Sequence, residues 1–286
     1  MDELLRARLR ITKGANLRLK ALQWTMHAVD FTSRTVSGQA FFALREARAL
    51  LNDLEGRAGA DLVHTLLGRE GGTTITAKGL ENIAPTGPVV IGATHPVGTF
   101  DFLAHAGALL KHRSDLKVVA NREAERFLGP ETIIAVDLDR KDRVLTARQT
   151  LDGMQAHLGC GGALLVFGSG RVAGMDQGRL VEPAWRTGIT RMSEASDAPI
   201  VPASADLRNS PQYYRTRKFA GALARSDDFG RAVASLRYAS ELIAKLGGSY
   251  TVHYGAIQPP GTPPEILQAL AEGLVPGLYR SPNSRP

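Results

Sequence analysis

The chain has 286 residues, 43% of them hydrophobic, with 35 Lys and Arg against 28 Asp and Glu, a net charge of +7 and a pI near 9.7. Such a length and composition describe a globular protein of one large domain, or a domain with an appendage. A single cysteine, Cys160, excludes an intramolecular disulfide, and no apolar run reaches the ~18 residues of a membrane-spanning helix or forms a signal-peptide core. The expectation is a cytoplasmic protein that neither spans a membrane nor is secreted.

Residues 1–70 read as a helical, basic region. Leu4, Leu5, Leu9, Ile11, Leu17, Leu19 and Leu22 alternate with arginines and lysines, and further helices are expected over 41–54 and 60–67. The segment suits an interfacial helix that docks on a membrane, or a cap on a core. Gly68 to Gly72 breaks the pattern and marks a boundary.

From residue 73 the rhythm becomes strand–helix alternation. Strands are expected at 73–77, 89–93, 117–120, 132–138, 163–167, 199–203 and 250–254. Helices are expected at 101–111, 122–128, 142–158, 185–195, 232–246 and 265–271. Apolar strands separated by helices predict an α/β domain over 71–280, with a mainly parallel sheet covered by helices on both faces.

The charge is concentrated. Residues 1–20 carry a local +4, and 205–237 another +4 from Arg208, Arg215, Arg217, Lys218, Arg225, Arg231 and Arg237 against three aspartates. Such patches attract anionic lipid, nucleic acid or an acidic small molecule. Aromatic content is only 6%, with no basic–aromatic interleaving of the base-stacking kind, which argues against nucleic acid.

Four segments carry chemistry. In Thr94-His95-Pro96-Val97-Gly98-Thr99-Phe100-Asp101 a histidine sits where a strand ends and an aspartate where a helix begins. A carboxylate at a helix N-terminus can fix the tautomer of the imidazole and leave its other nitrogen as a general base. Taken alone, the same spacing better describes an Asp that caps its helix beside a loop histidine; the blocks that follow in order reverse that balance. Arg140 follows the expected strand at 132–138, placed to bind phosphate or carboxylate bidentately. The strand 163–167 opens into Gly168-Ser169-Gly170-Arg171, a turn whose backbone N–H groups can cradle an anion. The apolar Val201-Pro202 comes last.

The order of these blocks resembles the glycerolipid acyltransferase family of the lysophosphatidic acid acyltransferase type. Its His–Asp, Arg, Phe-Pro-Glu-Gly and Val-Pro blocks are similar to His95/Asp101, Arg140, Phe167–Arg171 and Val201-Pro202, over roughly residues 73–257. Five residues separate His95 from Asp101 where the common family spacing is four, and a bacterial subgroup resembles this His-Pro-x-Gly-x-x-Asp form. The resemblance implies transfer of a fatty acyl group from a thioester, acyl-CoA or acyl carrier protein, to a hydroxyl of a lysolipid, as in phospholipid biosynthesis. No cofactor beyond that donor is implied. His95 would be the base, oriented by Asp101. Arg140, Ser169, Gly170 and Arg171 would hold an acidic head group, with Pro202 shaping the pocket. Ser169 stands where the family usually has Glu, which points to another lysolipid or an amino-acid-containing lipid as acceptor. The partners expected are lysolipid, acyl thioester and the anionic inner face of a membrane, to which the protein would bind peripherally.

Three rival readings remain. One is a serine hydrolase built on Ser169, Asp206 and His253, against which Phe167 and Arg171 occupy the positions where a nucleophile elbow needs glycine. Another is a lipid-binding homologue without activity. The third is a metal site from His105 and His112, whose spacing of seven is too wide for helical i, i+4 chelation, so no metal is expected.

Overall fold

The computed structural model describes residues 5–6, 12, 14–121, 124, 128–136 and 143–280, save the side chains of 143–147. The expected helix at 122–128 falls largely outside that set, and Arg140 wholly so. The described residues form two compact units, one from those of 1–56 with Asn209–Leu246, the other from Arg57–Arg208 with those of 247–286.

The larger unit is an α/β fold around a seven-stranded sheet. Its strands are β1 (Thr74–Lys78), β2 (Val89–Ala93), β3 (Lys117–Asn121), β4 (Ile133–Val136), β5 (Ala163–Phe167), β8 (Ile200–Ala205) and β9 (Ser249–Tyr254), in the spatial order β1-β9-β8-β2-β5-β3-β4. Only the β8–β9 pairing is antiparallel. The carboxyl ends of β8, β2, β5, β3 and β4 therefore share one edge, where ligands of open α/β sheets gather. A separate hairpin, β6 (Gly174–Asp176) and β7 (Arg179–Val181), follows β5.

Every residue of β2 and β8 is buried. At roughly 1.5–3 kcal/mol per fully buried large apolar side chain, such strands need cover on both faces. On one face α3 (Gly59–Leu67) packs with α4 (Thr99–Leu109) over β1, β8 and β9. On the other, α5 (Arg143–Gly159), α6 (Gly188–Ala195) and α10 (Pro264–Gly273) close a core of Val90, Leu158, Leu164, Trp185, Ile189, Met192, Ile200 and Leu267.

The smaller unit is helical: α1 (Asn16–Ser37), α2 (Leu44–Asp53), α7 (Pro211–Ala224), α8 (Asp227–Ala234) and α9 (Tyr238–Ile243). The expected continuous helix 232–246 is broken, because a 3-10 turn at Ser235–Arg237 separates α8 from α9. Leu19 and Met26 of α1 pack with Leu44. The buried Asp30 carboxylate accepts the N–H groups of Phe42 (2.5 Å) and Leu44 (2.9 Å), capping α2 from across the unit. Glu241 lies between Arg237 and Lys245, each 3.4 Å away, and accepts from the Ser210 backbone at 2.7 Å. A buried carboxylate with those partners escapes the several kcal/mol that an unpaired one costs.

Candidate active site

The site assembles where β2 and β5, hydrogen-bonded neighbours, both end. Gly98 holds φ +100° and ψ −124°, a conformation closed to residues with a Cβ, and this turn swings the chain into α4. Asp101 occupies the third position of that helix and is fully buried. Its Oδ2 accepts the N–H groups of Val97 (3.0 Å) and Gly98 (2.9 Å), completing the helix start, and lies 2.8 Å from His95 Nδ1. Capping and orientation, alternatives in the sequence, are thus done by one oxygen. The five intervening residues are brought round by the turn at Gly98.

The His95 ring is stacked on Phe167, centroids 4.4 Å apart and planes at 25°, and its side chain keeps 17% exposure. Its backbone is held too: the Ala173 N–H donates to the His95 carbonyl (2.9 Å), and the His95 N–H faces both carboxyl oxygens of Glu182 at 3.3 Å. With Nδ1 engaged by Asp101, Nε2 is the nitrogen left to take a proton.

Ser169 is buried, and its hydroxyl lies 2.7 Å from Glu182 Oε1 and 2.8 Å from the Arg171 carbonyl. A carboxyl group therefore does stand at this turn, delivered from thirteen residues along the chain by the β6–β7 hairpin. Sequence reasoning missed Glu182; its signal was a lone acid within the apolar run Leu180-Val181-Glu182-Pro183-Ala184-Trp185. Burial pushes its carboxyl up to about 8, against the lowering effect of the Ser169 and His95 hydrogen bonds.

Gly168 is a close-approach position, since a Cβ there would stand 2.0 Å from Trp185 Cδ2. The Arg186 N–H donates to the Gly168 carbonyl (2.9 Å), and the Arg186 guanidinium carbon lies 3.8 Å from where a Cβ on Gly170 would be. Arg186 is a second missed residue, a cation brought against the turn that already carries Arg171.

The remaining residues are placed differently. Pro202 is in register with Gly92, whose absent Cβ would meet Ile189 and Trp185. Pro202 thus belongs to the sheet face opposite Phe167, because side chains alternate along β2 and β5. Ser169 bonds to Glu182, whereas the charged groups around His253 are Lys78 and Asp206. The His112 ring donates from Nε2 to the Ile83 carbonyl (2.6 Å), and His105 lies 3.2 Å from the Tyr254 hydroxyl. Among the described residues no group of three or more His, Cys, Asp or Glu could hold a metal ion.

One solved structure that the chain resembles is the 1-acyl-sn-glycerophosphate (LPA) acyltransferase PlsC from Thermotoga maritima. The identity is 11% and the TM-score 0.44, over 89% of this chain and 95% of that chain. No protein-family model and no curated protein matches the chain.

Beside the site, His105 is a buried histidine that burial pushes down to about 4, so it packs as a neutral ring between Phe167 and Tyr254. Thr94, Ser204 and Tyr279 form a buried chain of hydroxyls, Tyr279 donating to Thr94 at 2.8 Å and Thr94 lying 3.0 Å from Ser204. These hydroxyls tie the ends of β2 and β8 to Tyr279 beneath the site.

Proposed function

We propose that the protein is an acyltransferase that moves a fatty acyl group from a thioester, acyl-CoA or acyl carrier protein, to a hydroxyl of a lysophospholipid or related lysolipid. The observation that carries this reading is the 2.8 Å contact between His95 Nδ1 and the buried Asp101, with the ring braced on Phe167 at the end of the sheet. His95 Nε2 takes the proton of the acceptor hydroxyl. The oxygen attacks the thioester carbonyl, and collapse of the tetrahedral intermediate breaks the C–S bond. The imidazolium returns the proton to the departing thiolate, so the histidine ends as it began. Asp101 stabilises the imidazolium in between. Arg171 and Arg186, together with Arg140 from outside the described residues, would attract an acidic head group.

Membrane docking at an anionic cytoplasmic leaflet belongs to the same proposal. No helix among the described residues is long and apolar enough to cross a membrane. On α1, however, Leu17, Trp24 and Phe31 are 86%, 75% and 74% exposed. They recur every seven residues on the side opposite the packed Leu19 and Met26, and Arg18, Lys20 and His27 accompany them. Phe219 and Leu223 form a similar exposed pair on α7, next to Arg215 and Lys218.

The test supplies purified protein with labelled acyl-CoA or acyl carrier protein and a panel of lysolipids. Acyl transfer by wild type that His95→Ala abolishes is the expected result; equal background from both ends the proposal.

A further inference from the structure

Glu182 is a buried carboxyl group beside the reacting pair to which acyl transfer gives no task. Its backbone is pinned, because its carbonyl accepts from Gln268 of α10 (3.4 Å) while Gln268 accepts the Trp185 N–H (3.1 Å). Its side chain joins the two halves of the site, touching the Ser169 hydroxyl on one and the His95 backbone N–H on the other.

A count of hydrogens bears on its state. The Ser169 hydroxyl has one hydrogen but two acceptors in reach, the Arg171 carbonyl at 2.8 Å and Glu182 at 2.7 Å, and the Arg171 N–H points back at the same hydroxyl from 3.2 Å. A proton on Glu182 resolves the conflict. Glu182 then donates to Ser169, Ser169 donates to the Arg171 carbonyl, and the other carboxyl oxygen accepts the His95 N–H. Without that proton, the Ser169 hydrogen turns to the carboxylate and the Ser169 bond to the Arg171 carbonyl is lost.

We propose that Glu182 is a positioning residue working as a neutral acid: its O–H closes the Ser169–Arg171 turn and ties it to the His95 backbone, fixing the base relative to the anion-binding turn. The surroundings agree. Burial raises the carboxyl, and the charged groups facing it, Asp101 of α4 and Glu272 of α10, raise it further. Tyr279 and His95 are its other titratable neighbours. The inference rests on the acyl-transfer reading, and one arm of its test stands apart from activity.

The experiment compares wild type with Glu182→Gln and Glu182→Ala across pH 6 to 9. The amide of the Glu182→Gln variant presents an N–H to Ser169 and an oxygen to His95, in the neutral acid's pattern; the methyl of Glu182→Ala presents neither. Expected is a kcat for E182Q at least about tenfold above that of E182A at pH 7, with the KM for the thioester alike in both. Wild-type activity falls as pH rises through about 8, and E182Q loses that alkaline fall. A merely structural Glu182 would change the folded fraction but leave the pH profile where it was. Equal kcat in E182Q and E182A, or an alkaline fall that persists in E182Q, overturns the proposal. The second arm follows the Glu182 carboxyl carbon by NMR in the intact protein. Titration near 8, with the His95 and Arg171 amide signals moving alongside, supports the proposal even if acyl transfer is absent. Titration near the ordinary 4.5 sinks it even if acyl transfer is present.

Discussion

His95 Nδ1 and Asp101 Oδ2 stand 2.8 Å apart, and that same oxygen takes the N–H groups of Val97 and Gly98. The imidazole is thereby oriented by the atom that starts α4. His95→Ala should lower kcat/KM by about 10²- to 10⁴-fold, the usual worth of a general base. Asp101→Asn can keep a carbonyl oxygen at the Oδ2 position and with it all three contacts, while losing the charge that stabilises the imidazolium. Its amide nitrogen falls where Oδ1 has no hydrogen-bond partner. D101N should therefore lose less activity than H95A, mainly in kcat, as steady-state kinetics of the two will show.

Gly98→Ala forces a side chain onto a backbone at φ +100°. A stability loss of about 1–3 kcal/mol is expected, read by urea unfolding, because strained φ/ψ positions cost that much. Activity should fall with it, since the displaced N–H is one of the Asp101 partners.

Gly168→Ala places a methyl 2.0 Å from Trp185 Cδ2. Overpacking of this kind costs about 1–3 kcal/mol. The double variant Gly168→Ala/Trp185→Leu makes room for the methyl, so its melting temperature should lie above the value expected if the two single losses added. Strict additivity would show that Trp185 is not what excludes the side chain.

Two buried groups give the stability an opposed pH dependence. The Glu182 carboxyl is raised from 4.5 to about 8 on folding, so its contribution is complete below pH 4.5 and is lost as pH rises through 8. His105 is lowered from 6.5 to about 4, so its contribution is complete above 6.5 and is lost as pH falls through 4. Between 4.5 and 6.5 the two slopes have opposite signs and cancel. Urea midpoints should show His105→Gln gaining stability on acidification across that window and Glu182→Gln losing it, each relative to wild type.

The stripe on α1 predicts vesicle binding. Wild type should bind anionic vesicles in a salt-sensitive way, with a blue shift of tryptophan fluorescence. Trp24→Ser together with Phe31→Ser should weaken the partition by at least about tenfold, given ~1.5–3 kcal/mol per large apolar side chain buried. Binding that survives in the double variant would place the membrane contact elsewhere.

Much of the sheet was legible because its strands are uninterrupted apolar runs: 89–93 and 163–167 were read to the residue. The His95–Asp101 pairing was legible as a pattern, since strand end, glycine and helix start each leave a local signature. Glu182 was not, because three-residue strands of mixed polarity such as Gly174–Asp176 carry no period, and the hairpin alone brings the acid back to Ser169. Arg186 reaches the Gly170 turn by a backbone bond to Gly168 that no spacing announces. The break between α8 and α9 was hidden as well. Residues 232–246 have a helical composition, and the 3-10 turn there carries Arg237, whose guanidinium donates to the Phe41 carbonyl at 2.5 Å and lies 4.0 Å over the Phe41 ring.

The stack of His95 on Phe167 has a consequence for which molecules can react. An imidazole presents its basic lone pair in the plane of the ring, and here that plane lies 25° from that of the Phe167 ring. A hydroxyl must come in edgewise, along the surface of the Phe167 ring, to meet Nε2. On the proposed acyl transfer, selection among acceptors would then depend on their shape beside the hydroxyl as well as on their head groups. Branched alcohols should therefore react more slowly than slim ones in that transfer.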